Sequence, residues 1–348
     1  MKVLLTGGAG FIGMHVAQAL LARGNAVVVL DNLNDYYPVA LKEARLSLLK
    51  AEAAARPGMR PGFRFFRVDL ADAAALENTL TAAQREDETP FDAVLHLAAQ
   101  AGVRYSLTHP QAYVQSNLVG FANILETCRR LRVPHLVYAS SSSVYGANVR
   151  LPFSEEDRTD APLTLYAATK KANEAMAHSY SHLYGLPATG LRFFTVYGPW
   201  GRPDMAYYKF TRAMLAGEPI DIYNHGQMRR DFTYVGDVVT SVLRILDAPP
   251  APCAPPCRIY NVGGQNSVLV NDFIATLERI IGCTAIRNEM PMQDGDVPET
   301  LANASALERD FGAVPHTPLE PGLRRFVGWY CRYHGIPAPA ALSLEVSH

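Results

Sequence analysis

The chain has 348 residues, of which 49% are hydrophobic and 19% charged, and its formal net charge is −1. This composition is typical of a globular chain with a full core, and the absence of a Lys or Arg run gives no reason to expect a nucleic-acid partner. No apolar run reaches the ~18 residues of a membrane span, and the strand-like Lys2-Val3-Leu4-Leu5 leaves no room for a signal peptide. We therefore expect a cytoplasmic protein with no membrane partner.

Strand-like and helix-like stretches alternate through the first half of the chain. Apolar strands are predicted at Val3–Leu5, Ala26–Leu30, Phe63–Val68, Ala93–Leu97 and Leu136–Ala139, with helices at Phe11–Arg23 and Leu118–Leu131. Apolar strands that alternate with helices indicate a parallel sheet covered on both faces. The pattern therefore predicts an α/β fold with a Rossmann-type doubly wound parallel sheet.

After Arg192 the elements suit a smaller α/β lobe interleaved with the sheet domain. Helices are predicted at Met205–Leu215, Asn271–Ile281 and Leu319–Tyr333, a short strand at Ile220–Tyr223, and a strand turning into a helix over Phe232–Ile245. We assign residues 1–192 and 231–262 to the sheet domain, and residues 193–230 and 263–348 to a substrate-binding lobe. The proline-rich Ala248–Pro256 is a linker. Cys253, within it, and Cys257 have no further ligands nearby in the sequence, so no metal site is expected.

A glycine-rich turn joins the first strand to the first helix. Its sequence is Thr6-Gly7-Gly8-Ala9-Gly10-Phe11-Ile12-Gly13, which satisfies the G-x-G-x-x-G pattern. Glycines permit a sharp turn, close approach of the backbone to a pyrophosphate and tight packing of the helix on its strand. The helix N-terminus adds amide donors and a partial positive charge. The context of strand, turn and helix therefore predicts a dinucleotide site.

Asp31, which follows the second strand, distinguishes between the two nicotinamide dinucleotides. Its carboxylate can accept hydrogen bonds from the adenosine ribose hydroxyls and would repel a 2′-phosphate, and no Arg follows it directly. We therefore predict NAD as the cofactor. Asp69-Leu70, at the end of the third strand, is expected to border the adenine. The alternative interpretation of Asp31 is an acid that caps a helix or a loop.

Tyr166 and Lys170 form a candidate catalytic pair at the start of a helix-like stretch that runs to Tyr184. Their spacing of four residues places both side chains on one helix face. A phenol with a pKa near ~10 is a weak base at neutral pH, but a neighbouring ammonium and the positive nicotinamide ring favour the phenolate. Tyr166 could then take a proton from a substrate hydroxyl while hydride passes to the cofactor.

Three motifs together resemble the extended branch of the short-chain dehydrogenase/reductase superfamily. They are TGGAGFIG at residues 6–13, SSSSVYG at residues 140–146 and YAATK at residues 166–170, and the resemblance extends from residue 1 to about residue 330. Two further stretches, Asp31 to Arg45 and Phe194 to Met205, are similar to those of UDP-glucuronate 4-epimerases.

The resemblance implies roles for particular residues. Ser141 would help Tyr166 hold the reacting 4-hydroxyl, and Lys170 would also bond the nicotinamide ribose. The implied cofactor-binding set is Gly7, Gly10, Phe11, Ile12, Gly13, Asp31, Asn32, Asp69, Leu70, Leu97, Ala98, Ala99, Gln100, Asn117, Tyr166 and Lys170. On the substrate side, Arg230 would contact the UDP diphosphate, Asp296 the uridine ribose and Tyr223 the uracil. Leu118–Leu131 and the Tyr166 helix would form a four-helix bundle in a homodimer.

Local differences from other branches indicate the reaction. Dehydratases that resemble this chain carry Asp-Glu where Ser142-Ser143 stand, and UDP-xylose-forming decarboxylases carry a Glu at the position of Ser143. The chain keeps only the groups for hydride removal and return, which predicts 4-epimerisation of UDP-glucuronate to UDP-galacturonate. Oxidation at C4 makes a β-keto acid that can lose CO2. We therefore expect Ser142, Ser143 and Thr195, with Arg202 nearby, to hold the sugar carboxylate.

Three alternatives stay open from the sequence. The chain could be a UDP-hexose 4-epimerase for neutral sugars, although relatives of that kind have Asn near Thr195. It could be a UDP-glucuronate decarboxylase, or a catalytically silent NAD-binding regulator, which would not need Ser141, Tyr166 and Lys170. His96, inside a strand, is interpreted as a core histidine.

Overall fold

The computed structural model describes residues 1–55, 62–85, 89–251, 255–293 and 295–343. Cys253 and the middle of the predicted linker lie outside the described residues. Among the residues it covers, no helix combines the length and the apolar character needed to cross a membrane.

The strands are numbered in chain order. They are β1 (Lys2–Thr6), β2 (Ala26–Asp31), β3 (Phe63–Arg67), β4 (Ala93–His96), β5 (Leu136–Ser141), β6 (Ala188–Phe193), β7 (Thr195–Tyr197), β8 (Ile220–Tyr223), β9 (Arg229–Tyr234), β10 (Cys257–Val262), β11 (Ser267–Leu269) and β12 (Arg287–Met290).

The helices are numbered in the same way. They are α1 (Phe11–Ala22), α2 (Val39–Ala54), α3 (Ala73–Arg85), α4 (Tyr105–Thr108), α5 (Pro110–Tyr113), α6 (Gly120–Leu131), α7 (Leu165–Tyr184), α8 (Ala206–Ala216), α9 (Val235–Leu246), α10 (Val270–Ile281), α11 (Ser305–Phe311), α12 (Leu319–His334) and α13 (Ala340–Ser343). A π-helical turn, Val114–Val119, leads into α6, and short 3-10 turns occupy Ser142–Tyr145 and Asn224–Gly226.

The described part of the chain forms a seven-stranded sheet in the order β10-β6-β5-β4-β1-β2-β3. Neighbouring strands in this sheet are parallel, with Val3 opposite Val27 on one side and Ala93 on the other. The strand order reverses between β1 and β4, and ligands of doubly wound sheets bind at such a switch point, beyond the carboxyl ends of the strands. The glycine-rich turn, Asp31 and Ser141 all lie at this edge.

The second lobe contains two small sheets within the described residues, β11-β9-β7 and β12-β8. Its aromatic core includes Tyr207, Phe232, Phe326 and Trp329, which pack between α8, α10 and α12. Phe232 stacks on Phe273 with ring centroids 4.5 Å apart. This core packs against β9, which pairs with β7 directly after the central strand β6.

The structure confirms the Rossmann-type doubly wound α/β fold and adds detail that the sequence pattern missed. The sequence predicts five strands of the sheet, and the structure adds β6 and β10 at one edge. The predicted change from strand to helix over Phe232–Ile245 is confirmed as β9 and α9, of which β9 joins the small sheet and α9 packs on α1. β5 is longer than predicted and includes Ser140 and Ser141, so the serine row begins within the sheet. The domain boundaries stay a prediction.

Candidate functional site

The glycine-rich turn forms one wall of a cavity at the switch point. Gly7 has a φ of +73°, and a Cβ there would lie 2.6 Å from the backbone nitrogen of Ala98. A Cβ at Gly13 would lie 2.2 Å from the Gly7 carbonyl oxygen. Larger residues are therefore excluded from both positions. The Gly10 amide donates to the Gly7 carbonyl at 2.9 Å, and α1 begins at the next residue with its free amides at the cavity edge.

Asp31 lies at the end of β2, beside this turn. Its carboxylate accepts hydrogen bonds from the amides of Ala9 at 3.1 Å and Leu33 at 2.9 Å. Burial raises the pKa of Asp31, while those two bonds and the nearby Lys42 ammonium act to lower it. The carboxylate still lines the cavity, where its free lone pairs suit ribose hydroxyls. Asn32 lies next to it and donates to Asp69 at 3.1 Å.

The predicted catalytic residues Ser141, Tyr166 and Lys170 line the same cavity from β5 and α7. Lys170 Nζ donates to the Ala139 carbonyl at 2.9 Å, and burial lowers the Lys170 pKa to about 8. Burial raises the pKa of Tyr166, which a hydrogen bond from the Ser141 hydroxyl and the charge of Arg202 partly oppose. In the protein without cofactor, Ser141 and Arg202 therefore act to lower the pKa of Tyr166. This is the effect that the sequence predicts for the Lys170 ammonium.

Asn117 is predicted to contact the cofactor, but the structure places it behind the cavity wall. It lies in the π-helical turn and is 1% exposed. Its amide group donates to the Gln100 carbonyl at 3.0 Å and to Thr169 Oγ1 at 3.0 Å, and it accepts from the Gln100 amide at 2.8 Å. Single π-helical turns occur often at functional sites. Here the turn lets Asn117 join Gln100, which lines the cavity, to α7.

Hydroxyls and one guanidinium line the end of the cavity where the sugar carboxylate is predicted. Ser142, Ser143, Thr195 and Arg202 are all in its lining. Arg202 Nε donates to Asp204 Oδ1 at 3.0 Å. Burial opposes the charge of Arg202, but Asp204 outweighs it and raises the Arg202 pKa. Arg202 is therefore a permanent cation that already has a carboxylate partner.

The predicted nucleotide-binding residues Tyr223, Arg230 and Asp296 lie around Arg104, which belongs to the first half of the chain. Arg104 Nη2 lies 3.1 Å from Asp296 Oδ2, and the Arg104 guanidinium lies 4.5 Å from the ring centre of Tyr223. Burial lowers the pKa of Arg230, and the charge of Asp296 opposes this. Arg104 directly follows Val103, which lines the cavity, so the cluster borders the same opening.

Several further residues in this region were not predicted from the sequence. Tyr36, Tyr37 and Lys42 line the cavity, and Arg104 joins the nucleotide cluster. Tyr36 donates to Asp204 Oδ2 at 3.1 Å, so it belongs with the Arg202 pair. The first three lie between Asp31 and Arg45, a stretch that resembles the family as a whole but contains no separate motif for these residues. For Arg104, no local signal distinguishes it from other surface arginines.

The lining of the cavity suits a dinucleotide. Its volume is about 380 Å³, within the usual range for ligand sites. Its lining includes the predicted cofactor residues Gly7, Gly10, Phe11, Ile12, Gly13, Asp31, Asn32, Asp69, Leu70, Leu97, Ala98, Ala99, Gln100, Tyr166 and Lys170. The glycine cradle for a diphosphate and the carboxylate of Asp31 match the donor and acceptor needs of NAD. Across the described ranges, no group of three or more His, Cys, Asp or Glu side chains could hold a metal ion.

Comparison with known proteins agrees with this site. The model of the NAD dependent epimerase/dehydratase family matches residues 3–263. The chain is 50% identical to an uncharacterized 37.6 kDa protein of Escherichia coli O111:H-, over 97% of this chain and 100% of that one. It is 48% identical to a probable UDP-glucuronate 4-epimerase of Rhizobium meliloti, over 95% of this chain and 97% of that one.

The chain also resembles a solved structure. The crystal structure of a Bacillus cereus UDP-glucuronic acid 4-epimerase, in complex with UDP-glucuronic acid and NAD, superposes with a TM-score of 0.85 at 32% sequence identity. The match covers 96% of this chain and 100% of that one. The chain thus belongs to the NAD dependent epimerase/dehydratase family.

Proposed function

We propose that this chain is a UDP-glucuronate 4-epimerase that interconverts UDP-glucuronate and UDP-galacturonate with bound NAD. The observation that carries the proposal is the pairing of Ser141, Tyr166 and Lys170 in one cavity with hydroxyls, not carboxylates, at Ser142 and Ser143. The relatives from Rhizobium meliloti and Bacillus cereus carry this activity in their names, and the latter binds UDP-glucuronic acid and NAD.

The glycine turn, Asp31 and Lys170 would hold NAD, with the diphosphate at the N-terminus of α1 and an adenosine ribose hydroxyl on Asp31. Bound NAD supplies the chemistry of accepting a hydride from C4 and giving it back. Lys170, which lines the same cavity from α7, would bond the nicotinamide ribose. The cofactor ends unchanged, so we expect NAD to purify with the protein.

Tyr166 is proposed to move the proton at the sugar O4. Its phenolate accepts the O4 proton when C4 is oxidised, and the phenol returns that proton when C4 is reduced from the other face. The Ser141 hydroxyl, which acts to lower the pKa of Tyr166, would help to hold O4 beside the phenol. The UDP group has to remain bound while the 4-keto sugar turns, and the cluster of Arg230, Asp296 and Tyr223 is proposed to anchor it.

The carboxylate of the 4-keto sugar must be held so that its C–C bond does not align with the ketone. Ser142, Ser143 and Thr195 can each donate a hydroxyl hydrogen bond to it. Arg202 can add a charged hydrogen bond, since a planar guanidinium has five donors and Asp204 occupies only part of this fork. This arrangement would disfavour loss of CO2 and so separate an epimerase from a decarboxylase.

We also propose that the chain works as a cytoplasmic homodimer. Of the helices predicted to pair, α7 leaves Leu183 and Tyr184 exposed by 64% and 53%, and Val119 is exposed at the end of the π-helical turn that leads into α6. Apolar side chains exposed at such helices suit a second copy of the same face. Light scattering at micromolar concentration should give twice the chain mass, and a monomer would contradict this proposal.

The proposed activity is tested by incubating the purified protein with UDP-glucuronate and following the C4 region by proton NMR. We expect UDP-galacturonate to appear without added NAD, and the Tyr166→Phe variant to make it at least ~100-fold more slowly. A UDP-pentose with CO2 would indicate the decarboxylase instead. Turnover of UDP-glucose in preference to UDP-glucuronate would indicate a hexose epimerase, and NAD binding without any turnover would indicate a silent regulator.

A further inference from the structure

Arg45 is a buried cation that joins two distant parts of the site. It lies on α2, is 0% exposed, and its guanidinium donates only to neutral oxygens among the described residues. Nη1 donates to the Ala9 carbonyl at 2.9 Å and to Tyr37 Oη at 2.8 Å. Nη2 donates to the carbonyls of Trp200 at 2.6 Å and Gly201 at 3.3 Å.

On the cofactor side, the partner of Arg45 is the central residue of the glycine-rich turn. The Ala9 carbonyl accepts from Arg45, while the Ala9 amide donates to Asp31. Both polar groups of this residue are therefore fixed by side chains that come from other elements. Because Ala9 lies between Gly8 and Gly10, which have little conformational restraint of their own, these two bonds restrict the turn that is proposed to hold the diphosphate.

On the substrate side, the partner is a strained turn that precedes Arg202. Trp200 has a φ of +61°, which is unfavourable for a residue with a large side chain. The two carbonyl acceptors, Trp200 and Gly201, lie directly before Arg202 in the chain. The Arg202 amide in turn donates to Tyr207 Oη at 3.2 Å. Arg45 thus stabilises the strained backbone from which the Arg202 side chain reaches the cavity.

A buried guanidinium is costly unless its donors are satisfied, and an apolar side chain would fill the same volume without that cost. Both terminal nitrogens of Arg45 have acceptors, whereas its buried Nε has none among the described residues. The planar fork of arginine can serve the cofactor turn with one nitrogen and the Trp200 turn with the other, which a lysine ammonium cannot reproduce. The four acceptors come from three segments, Ala9, Tyr37 and Trp200-Gly201, and Trp200 lies 155 residues from Arg45 in the sequence. The geometry is therefore that of a bridge between these segments.

We propose that Arg45 is a positioning residue that couples the cofactor turn to the carboxylate-binding turn of the site. Its loss would loosen the hold on NAD and would also let Arg202 move away from the sugar carboxylate. The second consequence rests on the proposed function, because it concerns the fate of the 4-keto uronate. The first consequence does not, since it concerns NAD alone.

The test uses the purified holoenzyme and the variants Arg45→Lys and Arg45→Met. The rate at which NAD leaves the protein is measured by dialysis, and the ratio of UDP-pentose to UDP-galacturonate is measured by NMR. For Arg45→Lys we expect NAD to leave about tenfold faster, as for the loss of one hydrogen bond to a charged group, and the pentose share to rise about tenfold. Loss of CO2 from the 4-keto uronate gives the pentose skeleton, so this ratio reports the hold on the carboxylate.

Tyr207→Phe is the matched control because it removes a bond from the Arg202 turn without touching the cofactor turn. It should raise the pentose share and leave the NAD release rate unchanged. A merely structural Arg45 would lower the unfolding temperature of its variants but leave both readouts as in the wild type, and that result would overturn the proposal. A change in only one readout for Arg45→Lys would also overturn the coupling. A wild type that turns over no UDP-glucuronate would instead refute the proposed function. The NAD release rates of the Arg45 variants would still test whether Arg45 supports the cofactor turn.

Discussion

Glu174→Gln removes the negative charge from a buried ion pair behind the serine row. The Glu174 carboxylate accepts hydrogen bonds from Nε and Nη2 of Arg192, both at 2.9 Å, and from Ser140 Oγ at 2.7 Å. Arg192 Nη1 also donates to Tyr145 Oη at 3.0 Å. The pair therefore joins α7 to both ends of the segment that contains Ser141, and it holds in place the serine row that lines the cavity.

The substitution preserves the size of the side chain, so its effect reports charge and hydrogen bonding. Both partners are 3% exposed, and removing one member of a buried pair costs about 3–5 kcal/mol. A chain of 348 residues has an unfolding entropy of about 0.7 kcal/mol/K, so the midpoint of thermal unfolding should fall by about 4–7 °C. We also expect slower epimerisation at temperatures where the variant is folded, because the serine row loses its support.

Thermal unfolding followed by circular dichroism at a fixed NAD concentration measures this shift. Asp247→Asn is the matched control, because Arg23 and Asp247 form a 2.8 Å pair whose side chains are 43% and 48% exposed. An exposed pair of this kind contributes little, so its midpoint should not change measurably. Equal midpoints for Glu174→Gln and the wild type would refute the reasoning, and so would equal shifts for the two variants.

Three further expectations follow from single residues. Gly13→Ala should weaken NAD binding at least ~10-fold in dialysis, because its Cβ would lie 2.2 Å from the Gly7 carbonyl oxygen, whereas Gly328→Ala in α12 should not. Burial lowers the pKa of His135 to about 4 in the folded protein. As the pH falls from about 6.5 to about 4, the imidazole is protonated in the unfolded chain but not in the folded one, so the free energy of unfolding should decrease over this range. In urea denaturation, His135→Gln should lose less stability over that range, and equal losses would contradict this. Burial lowers the Lys170 pKa to about 8, so kcat should decline above that pH as the ammonium loses its proton. The Lys170→Met variant should turn over ~100-fold more slowly, and its kcat should not show this decline at high pH.

The first βαβ unit could be predicted because its signals are local. Apolar runs mark β1 and β2, and the glycine-rich turn marks the start of α1. The edge strands β6 and β10 were missed because their sequences are less apolar. β6 contains Gly190 and Arg192, and Arg192 is buried only because Glu174, on a different element, neutralises it. Such a strand is recognisable only after its partner is known.

In the site, too, residues with local sequence signals could be predicted, whereas contacts between distant segments could not. Gly7, Asp31, Tyr166 and Lys170 belong to short motifs with fixed spacing, and the structure brings them to one cavity. The environment of each group depends on contacts between distant segments. The pairing of Arg202 with Asp204 and Tyr36 could not be predicted, since Tyr36 lies 168 residues from Asp204.

The contacts of Asn117 and Arg45 could not be predicted for a similar reason. Asn117 was assigned to the cofactor by resemblance, but its contacts with Gln100 and Thr169 depend on a π-helical turn that a period of 3.6 residues does not reveal. Arg45 ended a stretch of recognisable sequence without an apparent role. Its role as a bridge emerges only when Ala9 and Trp200 are seen on either side of it.

The central claim is that hydride leaves C4 and returns to C4 within one bound cofactor. UDP-glucuronate carrying deuterium at C4 tests this most directly, with the product examined by NMR and mass spectrometry. We predict that UDP-galacturonate retains the deuterium at C4 and that no free NADH accumulates. Loss of the label to solvent, or its transfer into released NADH, would contradict the account.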